Sequence, residues 1–187
     1  MNGEQLLGIE PSDTPTPRML TWSKNSTVYR LERQMLTEKQ LSDAIRRKAK
    51  EKFEDITETQ LKAVVEHAVK FAYELGGLDD KAYPGIATRS SVRSGRSRRA
   101  IAQRLAIKGI DRETVSVALE EADDLYAAVV MARKRAFGPF RKVDLDEKRT
   151  SKELSAFARG GFGFDLAKKV FAMSPEDAED ILVERRV

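Results

Sequence analysis

The residues of this sequence best suited to chemistry are basic side chains gathered in one stretch without acidic neighbours. Between Asp80 and Asp111 there is no aspartate or glutamate, although the whole chain balances 34 Lys+Arg against 30 Asp+Glu. The basic residues of the stretch are Lys81, Arg89, Arg93, Arg96, Arg98, Arg99, Arg104 and Lys108. Guanidinium groups form paired hydrogen bonds with carboxylates and phosphates. The stretch therefore predicts recognition of an anionic partner, either an acidic protein or a nucleic acid.

The spacing of three of these arginines predicts a charged helix face. If the chain is helical from Tyr83 onward, Arg89, Arg93 and Arg96 fall at i, i+4 and i+7 and project from one side. Like charges placed this way cost a few tenths of a kcal/mol per pair, so a partner would explain their retention. The alternative is a solvated helix face neutralised by carboxylates from elsewhere in the chain. The predicted contact residues are Arg89, Arg93, Arg96, Arg98 and Arg99, then Arg104 and Lys108, with Arg133, Lys134 and Arg135 as an extension.

Groups for catalysis or metal binding are scarce. The chain has no cysteine, and its single histidine, His67, falls within a helical pattern where a structural role is expected. The run from Gly160 to Phe164 follows a helix and lacks the Gly-Lys-Ser/Thr of a phosphate loop, which indicates a helix-ending corner. One acidic cluster is interpreted as a helix junction and not as a metal site: Glu120, Glu121, Asp123 and Asp124. We expect no enzymatic activity, no metal and no cofactor.

The elements that position these residues are predicted to be helices. An aromatic content of 7% and only 11 glycines among 187 residues argue against a β-sandwich or barrel. Capping boxes are predicted at Thr37 with Gln40, at Thr57 with Gln60, and at Thr150 with Glu153. Further helices are predicted to begin at the N-caps Ser97, Asp111 and Asp165, and to start at Ser174-Pro175.

The first residues of the chain are predicted to form a flexible leader. Prolines 11, 15 and 17 are spaced through serine and threonine, a composition that disfavours a helix, and Trp22 is expected to anchor the leader. The apolar cluster near the N-terminus is too short for a signal peptide, and no apolar run approaches membrane-spanning length. We therefore expect a cytoplasmic protein with no contact with a membrane.

The helices are predicted to form three repeats of similar pattern. Apolar pairs recur at Leu41 with Ile45, at Ile101 with Leu105, and at Leu154 with Phe157. A three-helix unit of this size cannot bury its apolar face alone, so the prediction is an all-α fold of tandem three-helix repeats stacked into an elongated curved solenoid. The predicted parts are a leader at 1–24 and repeats at 25–77, 78–122 and 123–187, the last with a C-terminal helical tail.

Several short motifs follow one another in a fixed order along the middle repeat: Leu78-Asp79-Asp80, Tyr83, Arg89, Ile101, Leu105 and Lys108-Gly109-Ile110, followed in the third repeat by Leu154 to Phe162. In this order they resemble the RecX family, bacterial modulators of the RecA recombinase. The resemblance covers about residues 27 to 172. Pro84 departs from the family pattern, and we expect the helix to begin or kink there because proline removes a backbone donor.

The resemblance implies a function at the RecA filament. Proteins of this family lie in the groove of RecA filaments on single-stranded DNA, where they limit filament extension, ATPase, strand exchange and co-protease activity. The individual basic contact residues do not come from the family but from charge placement.

Two other functions would also explain these basic residues. The two helices around Ser94–Ser97 are similar to a helix-turn-helix, so the protein could bind single-stranded or duplex DNA directly, through phosphates in the main, since Gln103 is the one obvious base-reading side chain. It could also be a helical scaffold for another acidic protein. We expect a monomer in each case.

Overall fold

The computed structural model describes residues 13–184, and every regular element in that range is helical. This confirms the predicted all-α fold. The α-helices are α1 Pro17–Leu31, α2 Glu38–Lys52, α3 Glu58–Glu74, α4 Tyr83–Arg93, α5 Arg98–Ile107, α6 Arg112–Ala118, α7 Asp124–Arg135, α8 Glu147–Arg159, α9 Phe164–Phe171 and α10 Pro175–Glu184, with a 3-10 helix at Gly138–Phe140. Within residues 13–184, none of these helices has the length and apolar character needed to cross a membrane.

The described residues form two compact units, divided between Asp80 and Lys81. In the first unit α1, α2 and α3 pack against one another around Leu41, Ile45 and Leu61, all fully buried. Both predicted capping boxes form in this unit: one opens α2 at Thr37 and the other opens α3 at Thr57. The boundaries of the three repeats within the two units remain predictions.

The predicted leader is wrong from residue 17 onward, because α1 begins at Pro17. Thr16 is its N-cap, and its hydroxyl accepts a hydrogen bond from the Met19 N–H at 3.3 Å. Proline at the first helical position loses only an N–H that has no partner within the helix, so it begins a helix readily. The division at residue 24 therefore cuts through α1. The prediction for residues 1–12 lies outside the described residues.

Trp22 lies within α1, and not at the end of a leader as predicted, and it packs against the core of the first unit. Its ring meets Phe53 edge to face, with 5.4 Å between ring centroids. Such aromatic pairs contribute about 0.5–1.5 kcal/mol beyond the area that they bury. The indole therefore belongs to the first unit's core at one edge and remains partly exposed at the other.

The second unit is built around α7, whose residues from Tyr126 to Ala132 are all buried. Small side chains at positions such as Ala127 and Ala128 let neighbouring elements approach its backbone closely. One close approach is at Gly95, in the turn after α4, where an added Cβ would lie 2.9 Å from the backbone nitrogen of Met131. Gly95 also has a φ of +82°, so both its space and its conformation require glycine.

Two predicted helix starts in the third repeat are wrong. Helix α8 begins one turn earlier than expected, since the carboxylate of Asp146 caps it by accepting from the Arg149 N–H at 2.6 Å. Thr150 and Glu153 therefore do not form a capping box, and Glu153 is instead fully buried. Helix α9 begins at Phe164 after Gly163, so Asp165 lies in its first turn. A negative charge there still stabilises the helix through its interaction with the helix dipole.

The end of α7 differs from the other tight helix ends in its residue type. After α3, α4, α5 and α8 the left-handed position is a glycine, whereas after α7 it is Ala136, with φ 52° and ψ 50°. In each case the following N–H bonds back to the last turn, as from Phe137 to the Ala132 carbonyl at 2.9 Å. A side chain in this conformation costs about 1–2 kcal/mol.

We therefore predict that Ala136→Gly stabilises the protein by about 0.5–1 kcal/mol. The gain from relieving the left-handed backbone exceeds the entropy that glycine adds to the unfolded chain. Urea unfolding followed by circular dichroism measures the change. The matched control is Ala172→Gly, where α9 ends with φ −87°; there glycine gives no relief and stability should fall. Equal losses in both variants would contradict the prediction.

Candidate partner-binding surface

Helix α4 carries the first two predicted arginines on its exposed side. It begins at Tyr83 with Pro84 in the first turn, as expected for a proline near a helix start. Tyr83, Pro84, Thr88 and Val92 are buried, and this spacing turns Arg89 and Arg93 outward. The two arginines lie one turn apart, so their guanidinium groups are neighbours on the helix surface.

The predicted three-arginine helix face is wrong at Arg96. Helix α4 ends at Arg93, and Gly95 then turns the chain through its left-handed conformation. The N–H of Arg96 bonds back to the Ser91 carbonyl at 3.1 Å, which fixes this residue in the turn and not on the helix. Arg96 is exposed there, between the arginines of α4 and those of α5.

Helix α5 is fixed at its start by side chains from two other elements. Ser97 is its N-cap, as predicted: its hydroxyl accepts from the Ala100 N–H at 3.1 Å and donates to the Gly160 carbonyl at 2.7 Å. The Asp124 carboxylate accepts from the backbone N–H of Arg98 at 2.6 Å. The side chains of Arg98 and Arg99 are thereby held exposed in the first turn.

The placement of Arg98 and Arg99 is unfavourable for the helix itself. The first turn of α5 contains no acidic residue, and cations near a helix N-terminus oppose its dipole. Each such charge typically costs about 0.3–1 kcal/mol at a surface position. The Asp124 carboxylate, bonded to the Arg98 N–H, offsets part of this cost, but the two arginines themselves do not stabilise the helix.

Arg89 and Arg93 line a cleft of about 780 Å³ between α4, α6 and α7. Its apolar wall includes Val92, Val117 and Tyr126, and its other side carries the carboxylates of Glu120, Glu121 and Glu184. The Thr88 hydroxyl, buried in the same region, has no hydrogen-bond partner within residues 13–184. The cleft thus offers apolar surface, unpaired hydrogen-bonding capacity and charges of both signs.

The six predicted arginines of α4, the following turn and α5 form no salt bridge with any carboxylate between residues 13 and 184. They are Arg89, Arg93, Arg96, Arg98, Arg99 and Arg104, and all six are exposed. No salt bridge neutralises this face within the described residues, although Glu120, Glu121 and Glu184 line the same cleft as Arg89 and Arg93. We call the six arginines the arginine surface.

Three of the four remaining predicted contact residues are engaged within the protein. The ammonium group of Lys108 lies over the Tyr83 ring, 4.8 Å from its centroid, and contacts the Tyr83 hydroxyl. Arg133 forms a 3.2 Å ion pair with Glu179, and Lys134 donates to the Ser94 carbonyl at 3.0 Å. Arg135 is exposed at the end of α7. Lys108 and Lys134 therefore support the two ends of α4 more than they extend the arginine surface.

Paired aspartates perform a structural role that the sequence reasoning did not identify. Asp123 caps α7 by accepting from the Leu125 and Tyr126 N–H groups at 2.8 and 3.1 Å, while Asp124 caps α5. In the first unit, Asp80 accepts from the Glu38 N–H at the start of α2 in the same way, at 3.1 Å. The repeated Asp-Asp pair before α4 and α7 was the available signal.

The other candidate groups for chemistry also have structural roles. His67 Nδ1 lies 2.8 Å from the Ser23 hydroxyl, and burial together with Lys24 lowers the pKa of its ring. Among residues 13–184, no group of histidines and carboxylates is arranged to hold a metal ion. Gly161, with φ +84°, ends α8 as the predicted corner.

Comparisons with known proteins agree on one family. A family model described as RecX, second three-helix domain, matches residues 79–119, which include α4, α5 and α6. The regulatory protein RecX of Agrobacterium fabrum is 61% identical over 168 residues, covering 90% of this chain and 91% of that protein. The regulatory protein RecX of Myxococcus xanthus is 35% identical over 162 residues, covering 83% of this chain and 87% of that protein.

Two solved structures share the fold. The crystal structure of RecX from Lactobacillus salivarius gives a TM-score of 0.57 at 19% identity, covering 83% of this chain and 96% of that chain. A crystal structure of regulatory protein RecX gives a TM-score of 0.57 at 23% identity, covering 81% of this chain and 71% of that chain. RecX proteins are regulatory proteins and not enzymes. Given the identity with the Agrobacterium fabrum protein along nine-tenths of its length, this chain belongs to the RecX family of regulatory proteins.

Proposed function

We propose that this protein is a negative modulator of the RecA recombinase. It binds in the groove of the RecA filament on single-stranded DNA and limits filament extension, ATPase, strand exchange and co-protease activity. It acts as a monomer in the cytoplasm, in DNA repair, recombination and the SOS response. Membership of the RecX family supports the regulatory role, and the arginine surface is the part of the molecule through which we expect it to act.

One observation carries this proposal: the side chains of six exposed arginines form no salt bridge with a carboxylate among residues 13–184. Two of them oppose the dipole of α5, and two others are adjacent like charges on α4. Each arrangement costs the isolated protein a few tenths of a kcal/mol or more. Binding of carboxylates or phosphates by these groups would offset that cost in the complex.

The fixed backbone around the arginine surface suits binding. Ser97, Asp124 and Gly95 hold the end of α4 and the start of α5 in one arrangement, so little backbone entropy is lost when a partner is bound. The arginine side chains themselves can bind either carboxylates of RecA or phosphates of DNA.

The experiment that tests the proposal is the DNA-dependent ATPase of RecA in the presence of substoichiometric wild-type protein. We expect ATP hydrolysis to fall at ratios well below one molecule per RecA subunit, because each bound modulator stops the extension of a whole filament. Undiminished hydrolysis would contradict the proposal. Inhibition that disappears when single-stranded DNA is in excess would show direct competition for DNA and would favour the alternative of a DNA-binding protein.

A further inference from the structure

A cationic cleft lies in the first unit, between one face of α1 and one face of α2. Trp22, Ser26 and Arg30 follow one another at four-residue spacing and so share a face of α1. Lys48 and Lys52 are related in the same way on α2. Together with Glu51 these side chains line an open cleft of about 290 Å³.

Arg30 is held in place within this cleft. Its guanidinium donates to the Ser26 carbonyl at 2.8 Å and to the Ser26 hydroxyl at 2.5 Å. Partial burial, together with the charge of Arg47, lowers the pKa of Arg30. An arginine fixed by its own helix loses little side-chain freedom when an anion binds to it.

The cleft has an excess of positive charge. Glu51 is its carboxylate, and it pairs with Lys48 at the surface. Arg30 and Lys52 form no salt bridge with any carboxylate in residues 13–184. Both are therefore available for an anion.

The remaining wall of the cleft is the partly exposed indole of Trp22. Its ring is fixed by the edge-to-face contact with Phe53. Positive charge along a groove, combined with an aromatic side chain on which a base can stack, is the pattern of proteins that bind single-stranded nucleic acid without sequence preference. An acidic protein surface would use the same cations but has no need of the indole.

We propose that this cleft binds single-stranded nucleic acid, with phosphates on Arg30 and Lys52 and a base against Trp22. Binding here is independent of sequence, because the contacts reach phosphate and the face of a base and not its hydrogen-bonding edge. The site belongs to the first unit, so it is separate from the arginine surface of the second.

The chain provides its own probe for this site, since Trp22 is its single tryptophan. We expect a short oligo-dT to change the Trp22 fluorescence in a saturable way. The affinity should fall with salt, with a slope of about 0.7 for each phosphate neutralised. The variant Arg30→Gln with Lys52→Gln should bind more weakly, and the slope should fall by roughly 0.7 for each cation removed.

The matched control is Lys39→Gln with Lys62→Gln, which removes the same charge from exposed positions of the same unit outside the cleft. It should retain the wild-type affinity and salt slope. An equal loss in both variants, or oligo-dT binding by anisotropy without a change in Trp22 emission, would overturn the proposal. A matching Trp22 response to polyglutamate would overturn it in favour of an acidic protein. No RecA is present in this titration, so its result does not depend on the proposed function.

Discussion

Replacing Arg141 with methionine is expected to lower the free energy of unfolding by about 3–5 kcal/mol at neutral pH, because it leaves a buried carboxylate without its partner. Glu153 is fully buried. Its oxygens accept from Arg141 Nε at 3.0 Å, from Arg141 Nη2 at 2.7 Å and from the Gly138 N–H at 3.1 Å. Removing the guanidinium leaves the single backbone bond to compensate the charge. Urea unfolding at neutral pH measures the loss.

The loss should become smaller as the pH falls. In the wild type, burial by itself raises the pKa of Glu153, but the hydrogen bonds from Arg141 and Gly138 outweigh it and hold the pKa below its ordinary value. The ionised pair therefore stabilises the wild type above the unfolded pKa of glutamate, about 4.3, and that contribution is lost as the pH falls through the lower folded value. Without Arg141, burial dominates and raises the folded pKa, so protonation relieves the variant already above pH 4.3.

Two controls separate the charge effect from a general loss of packing. Lys142→Met makes a similar change at the neighbouring exposed position and should alter stability by less than about 0.5 kcal/mol. Arg141→Met combined with Glu153→Leu removes both charges and should recover most of the loss, since an apolar pair can replace a buried ion pair at little cost. A double variant as unstable as the single one would show that the charge is not the cause.

The second large effect is expected at the arginine surface. Arg93→Glu, Arg96→Glu and Arg99→Glu together should raise the protein concentration needed for half-inhibition of the RecA ATPase by about a hundredfold, or about 2.7 kcal/mol. Each reversal turns attraction for an anion into repulsion at the same position. The three residues lie at the end of α4, in the turn that follows it and at the start of α5, so the variant tests every part of the surface.

The triple variant should fold as well as the wild type. All three arginines are exposed. A glutamate at position 99 lies in the first turn of α5, where its negative charge stabilises the helix through the helix dipole. The matched control reverses three exposed lysines of the second unit that form no salt bridge with a carboxylate in residues 13–184: Lys148→Glu, Lys152→Glu and Lys169→Glu. It changes the net charge equally and should inhibit RecA as the wild type does. Equal losses in the two variants would indicate an effect of overall charge.

Helix starts were predictable from the sequence where the signal is local. Thr37, Thr57, Ser97 and Asp111 all cap a helix as expected, because each side chain bonds to a backbone N–H within the next three residues. The same reasoning failed at Glu153, where the local pattern of a capping box was present but a distant arginine determined the role. A pair joined across a loop, as Arg141 and Glu153 are, leaves no periodic signal.

The sequence identified the exposed arginines of the candidate surface, but it did not predict how the backbone arranges them. The absence of carboxylates between Asp80 and Asp111 identified the exposed arginines directly from the sequence. The prediction of a single helix face was wrong because the spacing of side chains does not show whether a helix continues through Gly95 or ends in a turn there. The contact of Lys108 with Tyr83 could not be predicted from the sequence either, since Tyr83 lies on another helix. The cationic cleft of the first unit was missed because its charges are spread over α1 and α2 and mixed with acidic residues.

The most direct test of the central claim is equilibrium binding to preformed RecA filaments on single-stranded DNA, comparing wild type, the arginine-surface variant and the lysine control. The wild type and the lysine control are predicted to bind with equal affinity, while the variant carrying glutamate at positions 93, 96 and 99 binds about a hundredfold more weakly. Wild-type affinity in the arginine-surface variant would contradict the claim that this surface holds the protein on the filament.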